Sequence, residues 1–141
     1  MNLFGSAFAK YSLIDHKSKD FGVGVSLYPS EIHLVSRVDG REGIGVTELA
    51  EEMGITKGAV SQLVSKLVKK GMLSKTPSPE NRARVVIRTT ERGHIASVNH
   101  LEFHRQHDRG FWEYLAELSD EDYAAVVRVG KQMNHWMDAY M

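Results

Sequence analysis

The stretch from Val46 to Gly71, VTELAEEMGITKGAVSQLVSKLVKKG, constrains the fold of this chain most, because it predicts two helices joined by a tight turn. Thr47 is a hydroxyl residue suited to cap the first helix, and Glu48 to Met53 is a helix-forming run. Gly54 is suited to end that helix, and Thr56 can cap the next one. The break of about three residues is the spacing that a helix-turn-helix requires.

The second helix of this pair has one apolar face and one polar face. The apolar residues recur at helical spacing and are Val60, Leu63, Val64, Leu67 and Val68. The outer face carries Lys57, Gly58, Ser61, Gln62, Ser65, Lys66 and Lys69. Short and amide side chains among lysines can contact base edges and phosphates. We expect Ile55 to fill the corner between the helices, and Gly58, costly in a helix, to indicate close approach of another backbone. An ordinary amphipathic helical hairpin would show the same spacing.

Charge is distributed unevenly along a chain whose formal net charge is zero. Between Thr56 and Arg92 there are nine lysines and arginines against two glutamates. The remainder of the chain is correspondingly acidic. A local basic stripe of this kind is typical of a nucleic-acid-binding surface, whereas a solvated charged face more often mixes both signs.

Two further helices and a loop are predicted before the central stretch. Asn2 to about Lys17 carries apolar and aromatic residues at helical spacing. The sequence from Lys19 to Leu27, KDFGVGVSL, is interrupted by glycines and is expected to be a loop. Pro29 suits the first position of a helix that Gly40 ends.

After Gly71 the hydrophobic period changes from that of a helix to that of a strand. Met72 to Thr76 predicts a short strand, Pro77 to Asn81 has turn chemistry, and Arg84 to Thr89 predicts a returning β-branched strand. A β-hairpin directly after a helix-turn-helix is the wing of a winged helix. We expect Arg82 and Arg84 at or beside its tip to enter a minor groove or hold phosphates.

The C-terminal part predicts a long helix from Thr90 to about Leu118 and a last helix that Ser119 caps. The last helix has a wide apolar face formed by Tyr123, Val126, Val127, Met133, Trp136, Met137 and Tyr140. Together with the aromatic first helix, this face predicts a dimer interface. Packing within one chain remains the alternative.

The residues that are missing exclude several classes of protein. The sequence has no cysteine, which excludes disulfides, thiolate zinc clusters and cysteine redox chemistry. No apolar run approaches the roughly 20 residues that span a bilayer, and no signal-peptide pattern is visible. We therefore expect a cytoplasmic protein with no membrane partner.

The order of these elements resembles the MarR family of bacterial and archaeal transcriptional regulators. The resemblance lies in VTELAEEMGITKGAVSQLVSKLVKKGML, the wing and TTERG, and it extends over essentially the whole chain. It implies a mainly α fold with a small β-wing, six helices with the wing between the fourth and fifth, in an intertwined homodimer. Residues 1–141 would form one domain, with 29–93 as the winged helix-turn-helix DNA-binding lobe and 1–28 and 94–141 as dimerisation helices.

The resemblance also implies how double-stranded DNA is bound. A dimer would occupy a pseudo-palindromic operator whose half-sites are about one duplex turn, roughly 34 Å, apart. By position, the major-groove residues would be Thr56, Lys57, Gly58, Ser61, Gln62 and Lys66, with Ser65 on the same face. Arg82 and Arg84 would serve the wing. The usual Asp-x-Arg pattern of family wings is replaced here by Asn81, Arg82 and Ala83, so which arginine reaches the groove stays open.

A histidine pattern suggests what the protein senses. His100 and His104 are four residues apart and therefore share a helix face, a spacing that two metal ligands can use. With His33 they are similar to the ligands of the zinc-sensing branch of the MarR family, so Zn²⁺ is a candidate cofactor, with Asp15 or His16 as the fourth ligand. A small aromatic or acyl effector bound between lobes is the competing interpretation.

Two other classes of protein are weighed against a regulator. The motif HLEFH resembles a zinc protease signature, but Glu102 would lie about 200° around the helix from His100 and could not act as its general base. No other catalytic motif is present, so we expect no enzyme. A winged-helix protein–protein adaptor would present an acidic or apolar outer face on the second hairpin helix, whereas this one carries lysines.

Overall fold

The computed structural model describes residues 3–78, Asn81 and residues 85–140. Before the central stretch it contains α1 (Leu3–Asp15), β1 (Lys19–Asp20), β2 (Ser26–Leu27) and α2 (Pro29–Val38). The central stretch forms α3 (Val46–Met53) and α4 (Lys57–Lys69), followed by β3 (Leu73–Pro77) and β4 (Val85–Thr89). The C-terminal part forms α5 (Glu91–His107), α6 (Arg109–Ala116) and α7 (Asp120–Asp138). The predicted winged helix-turn-helix order is confirmed.

The chain divides into two compact units, Met1–Glu102 and Phe103–Met141, and the boundary falls inside α5. The first unit holds the hydrophobic core, which α2, α3, α4, β3, β4 and the start of α5 line. Its fully buried large residues include Leu34, Ile44, Leu49, Leu67, Met72 and Ile87. Burial of apolar area at about 25 cal/mol per Å² is the main term that holds these elements together.

The turn between α3 and α4 has the predicted geometry, with one change at its start. Gly54 has a φ of +65°, so it ends α3 in the left-handed conformation that glycine adopts without strain. Thr56 precedes α4, and its Oγ1 accepts a hydrogen bond from the Ala59 amide at 3.2 Å. The prediction that Thr47 caps α3 is wrong. The helix begins two residues earlier than predicted, at Val46, with Gly45 in the N-cap position.

The apolar stripe of α4 is narrower than predicted. Val60, Val64 and Leu67 are completely buried, whereas Val68 is exposed and Leu63 is half-buried. The expected plug at the helix corner is also wrong, since Ile55 is 38% exposed. A stripe of three buried residues leaves most of the circumference of α4 at the surface.

The wing forms as a two-stranded antiparallel sheet. The register pairs Leu73 with Thr89 and Pro77 with Val85, so the first strand ends one residue later than predicted. Ile44 adds an isolated antiparallel bridge to Ile87, with Ile44 N donating to Ile87 O at 3.1 Å and Ile87 N to Ile44 O at 2.8 Å. The predicted wing-tip residues Arg82 and Arg84 lie outside the described residues.

The glycine-broken segment from Lys19 to Leu27 is ordered, which corrects the expectation of a plain loop. β1 and β2 pair as a short antiparallel hairpin, with Lys19 opposite Leu27. Asp20 Oδ1 accepts hydrogen bonds from the amides of Val23 and Gly24 at 2.8 and 3.1 Å and so closes the turn. Arg92 of α5 donates to the carbonyl of Val23, which attaches the hairpin to the core.

The helix expected from Thr90 to Leu118 is interrupted at Asp108, so the chain has one more helix than predicted among its described residues. Asp108 has φ −94° and ψ −6°, and its carboxylate lies 2.7 Å from Nδ1 of His104. The next break is as predicted, because Ser119 Oγ accepts from the Asp122 amide at 3.1 Å and caps α7.

The outer helices expose most of their apolar side chains. No residue of α1, α6 or α7 is buried. The exposed large side chains include Phe4, Tyr11, Trp112, Tyr123 and Trp136. No helix within the described ranges is both long and apolar enough to cross a membrane.

Candidate nucleic-acid interface and histidine cluster

The outer face of α4 presents most of the predicted DNA contacts to solvent. The exposed members are Thr56, Lys57, Gly58, Gln62, Ser65 and Lys66, and Ser61 is half-buried. The orientation of this polar face follows from the burial of Val60, Val64 and Leu67 on the opposite side of the helix. The face begins at the positive end of the α4 dipole, which favours nearby phosphate groups.

The first turn of α4 leaves open space at Gly58. A Cβ on this residue would meet only Thr56 Oγ1, at 3.9 Å, within the described part of the chain. No backbone of the described residues approaches Gly58, so the predicted close approach of another backbone is not made within this chain. The missing side chain instead leaves a bare strip of helix surface beside the Thr56 cap, where a phosphate or a base edge could come close.

Ser65 links α4 to the wing. Its hydroxyl donates to the carbonyl of Ser61 at 2.8 Å and accepts from Nζ of Lys75, on β3, at 3.2 Å. Lys75 was not among the predicted site residues, although it lies in the basic stripe of the sequence. Its contact with Ser65 places a cation next to the polar face of α4.

Lys66 differs from the other members of the face, because its charge is paired with an acid of α2. Nζ of Lys66 lies 3.0 Å from Oε1 of Glu31, whose side chain is only 1% exposed. Nζ of Lys70 lies 2.7 Å from Oε2 of the same carboxylate and also donates to the Ser26 carbonyl at 2.8 Å. The ring of Tyr28 lies beneath both ammonium groups, 5.3 Å from Lys66 and 6.0 Å from Lys70.

Glu31 remains ionised in this environment. Burial alone would raise the pKa of Glu31, but hydrogen bonds from Lys70 and the Tyr28 amide, together with the nearby Lys66 ammonium, outweigh it, so the pKa lies below its ordinary value. The Tyr28 amide donates to Oε2 at 2.8 Å, which also caps the first turn of α2. The sequence shows only a capping glutamate after Pro29. It does not show that the same carboxylate pairs with α4.

His33 and His100 are brought together by α2 and α5. Their ring centroids lie 5.3 Å apart, and the ring of Phe21 contacts His100 edge-on, also at 5.3 Å. Nδ1 of His100 is 3.3 Å from Ser36 Oγ, to which Ser97 donates at 3.2 Å. These serines were missed at the level of sequence, since no local spacing relates residue 36 to residue 97.

His104 occupies the last turn of α5, one helical turn after His100 on the same helix. The 2.7 Å contact between its Nδ1 and the Asp108 carboxylate orients the imidazole ring. A carboxylate on the far nitrogen of a histidine is the usual support for a metal ligand. The i, i+4 spacing from His104 to Asp108 could have indicated this partner from the sequence.

The family comparison matches the DNA-binding part of the chain. Residues 27–85 match the model of the MarR family. The chain is 31% identical over 109 residues to the helix-turn-helix-type transcriptional regulator YhjH of Bacillus subtilis, covering 77% of this chain and 59% of that protein. The chain therefore spans about 59% of the length of this curated relative.

Solved structures with the same fold cover nearly the whole chain. The adhesin competence repressor AdcR of Streptococcus pyogenes has a TM-score of 0.80 at 17% identity, covering 97% of this chain and 98% of that one. ZitR of Lactococcus lactis in complex with DNA has a TM-score of 0.76 at 15% identity, covering 97% and 99%. At this level of identity the likeness concerns the fold alone.

Proposed function

We propose that the chain is a transcriptional regulator of the MarR family, whose model matches residues 27–85, and that it binds double-stranded DNA with α4 in the major groove. The observation that carries this proposal is the exposed polar face of α4, opposite a fully buried apolar stripe. This arrangement presents a helix N-terminus, short polar side chains and lysines together. Such a combination can bind phosphates and read base edges.

Within this proposal the residues of the face have different roles. Thr56, Lys57 and Gly58 begin the helix and would contact the phosphate backbone, where small residues and a cation allow close approach. Ser61, Gln62 and Ser65 would face the bases, with the Gln62 amide suited to adenine. Lys66 belongs to the same face, and its pairing with Glu31 is considered below. Arg82 and Arg84 would serve the wing in the minor groove or on phosphates.

We propose that two copies of the chain bind one operator. The exposed aromatic side chains of α1, α6 and α7 would be costly on a monomer, and burying them between two copies removes this cost. Residues 1–28 and 94–141 would then be the dimerisation helices and 29–93 the DNA-binding lobe. Two lobes related by a twofold axis would read half-sites about 34 Å apart on a pseudo-palindromic operator.

We propose that Zn²⁺ is the effector and that His33, His100 and His104 bind it. The three imidazoles offer nitrogens that one ion could reach. The residues fit such a site, since Ser36 lies on the second nitrogen of His100 and Asp108 on that of His104. ZitR of Lactococcus lactis is described as a zinc-responsive MarR family member. A bound ion would supply a link between α2 and α5. The fourth ligand stays open between Asp15 and His16.

DNA binding is tested with Gln62→Ala. The native protein is used to select a duplex from a random library. The affinities of the native protein and of the variant are then measured for that selected duplex and for a duplex of the same composition in scrambled order. Gln62→Ala should narrow the affinity ratio between the two duplexes by about 5- to 150-fold, corresponding to about 1–3 kcal/mol for one base contact. Glu117→Gln, at the end of α6, is the control. Unchanged selectivity in both variants would contradict the assignment of Gln62. No binding by the native protein to any duplex would favour the adaptor alternative.

The metal proposal is tested by zinc titration followed by calorimetry and elemental analysis. His100→Ala and His104→Ala should each lower zinc affinity by at least 10–100-fold, since each removes a ligand. His135→Ala, on the exposed surface of α7, is the matched control. Equal affinity and stoichiometry in all four proteins would remove zinc and favour an organic effector. Either effector needs a coupling free energy of only about 1–3 kcal/mol to change DNA affinity.

A further inference from the structure

The most deeply buried acidic side chain in the described ranges is Glu31, and it neutralises cations at the DNA-facing helix. Its carboxylate holds Lys70 at 2.7 Å and Lys66 at 3.0 Å. The side chains of Lys66 and Lys70 are 52% and 22% exposed, so Lys66 in particular could otherwise reach outward. A flexible lysine is the side chain best able to follow any phosphate backbone, whatever its sequence.

The cluster differs from a surface ion pair because the carboxylate that Lys66 and Lys70 share is buried and fixed in place. Glu31 is fixed by the Tyr28 amide, so the carboxylate cannot follow the lysines outward. The Tyr28 ring beneath the ammonium groups adds a second attraction. Lys70 therefore has partners on α2 and β2, and Lys66 has a partner on α2, before any nucleic acid arrives.

We propose that Glu31 is a specificity-determining residue that withholds Lys66 and Lys70 from the phosphate backbone and so suppresses sequence-independent binding. This inference rests on the proposed DNA-binding function. Non-specific affinity rises with each phosphate contact, whereas base discrimination depends on the residues that reach base edges. Keeping two lysines on Glu31 lowers the non-specific affinity. It leaves intact the contribution of Ser61 and Gln62 to base discrimination.

The first test measures binding to a mixed-sequence duplex between about 50 and 200 mM salt. Glu31→Gln should steepen the dependence of log affinity on log salt by about 0.9 for each lysine released in each bound subunit. Non-specific affinity at low salt should rise, and the ratio of selected to mixed-sequence affinity should fall. Glu51→Gln removes the same charge from an exposed position of α3 and should leave the slope unchanged.

The identity of the released cation is tested with Lys66→Met in two backgrounds. Removing Lys66 should flatten the salt slope more in Glu31→Gln than in the native protein. An equal effect in both backgrounds, or no change of slope in Glu31→Gln, overturns the inference while leaving DNA binding intact. Absence of binding by the native protein would instead remove the proposed function itself.

A second measurement uses only the native protein, so it stays decisive if Glu31→Gln does not fold. Lysine acetylation is followed by mass spectrometry with and without a mixed-sequence duplex. DNA should protect Lys57 strongly and leave the reactivity of Lys66 and Lys70 nearly unchanged. Protection of Lys66 equal to that of Lys57 would overturn the inference, because it would place Lys66 on the phosphates.

Discussion

Gly93 of α5 lies directly against the carbonyl group of Met72, so that a Cβ on Gly93 would overlap the carbonyl oxygen. The same oxygen accepts the Thr90 amide at 3.0 Å. α5 is therefore seated on the chain segment that leads from α4 into the wing. A glycine is required because any side chain would push the helix away from that segment.

Gly93→Ala should destabilise the fold by about 1–3 kcal/mol or more, since the overlapping atom belongs to backbone and cannot rotate away. Urea unfolding followed by circular dichroism measures the loss. Gly110→Ala is the control, because nothing lies within 4 Å of its Cβ position in the described residues. Comparable losses in both variants would contradict the packing argument.

Gly58→Ala should have opposite effects on stability and on DNA binding. The added methyl group has open space, and alanine is favoured over glycine in a helix by about 0.5–1 kcal/mol. The free energy of unfolding should therefore rise by about that amount. DNA affinity should fall if Gly58 faces a phosphate. A variant that is more stable and binds DNA as the native protein does would exclude close approach at this residue.

Thr56→Ala should lower stability by about 1 kcal/mol, because it removes the acceptor for the Ala59 amide at the start of α4. Thr56→Ser keeps an acceptor oxygen and should recover most of the loss. Thermal unfolding of the three proteins gives the comparison. If serine and alanine are equally destabilising, the hydroxyl is not acting as a cap.

Stability should fall with pH below about 4.5 in a way that depends on Glu31. The pKa of Glu31 is lowered in the folded protein, so its carboxylate stabilises the fold above the ordinary value of 4.5. That contribution is lost as pH falls through the lowered folded pKa. Glu31→Gln should be less stable than the native protein near neutral pH and should lose less stability on acidification.

Urea unfolding at a series of pH values measures this difference. Glu51→Gln serves as the control for removal of a carboxylate from an exposed site. Parallel pH profiles for the native protein and Glu31→Gln would show that Glu31 contributes nothing in this range.

Sequence patterns predicted correctly the elements that neighbouring residues alone determine. The turn at Gly54 and the cap at Thr56 are confirmed, because backbone conformation and a side-chain oxygen decide them within a few residues. The wing strands between 72 and 89 were predicted within one residue at the ends the structure describes, since the change of period marks them.

The features that the sequence analysis missed or placed wrongly have two kinds of cause. Some depend on residues that are distant in the sequence, and others on a choice between neighbouring residues of similar preference. Gly45 and Thr47 could each begin α3, and sequence preference alone favoured the hydroxyl. The break at Asp108 is a single-residue departure inside a strong helical pattern. The pairing of Glu31 with Lys66 joins residues 35 apart, which no local period reports. Sequence spacing likewise could not supply the two serines beside His100.

The isolated bridge between Ile44 and Ile87 adds the segment before α3 to the wing as a third paired segment. The helix pair is thus joined to the wing by two contacts. One is the bridge from Ile44 to Ile87, and the other is the hydrogen bond from Lys75 to Ser65. A DNA-binding lobe joined in this way keeps a constant spacing between α4 and the wing. In the DNA-binding function proposed above, such a lobe would select a duplex by its groove width as well as by its base sequence.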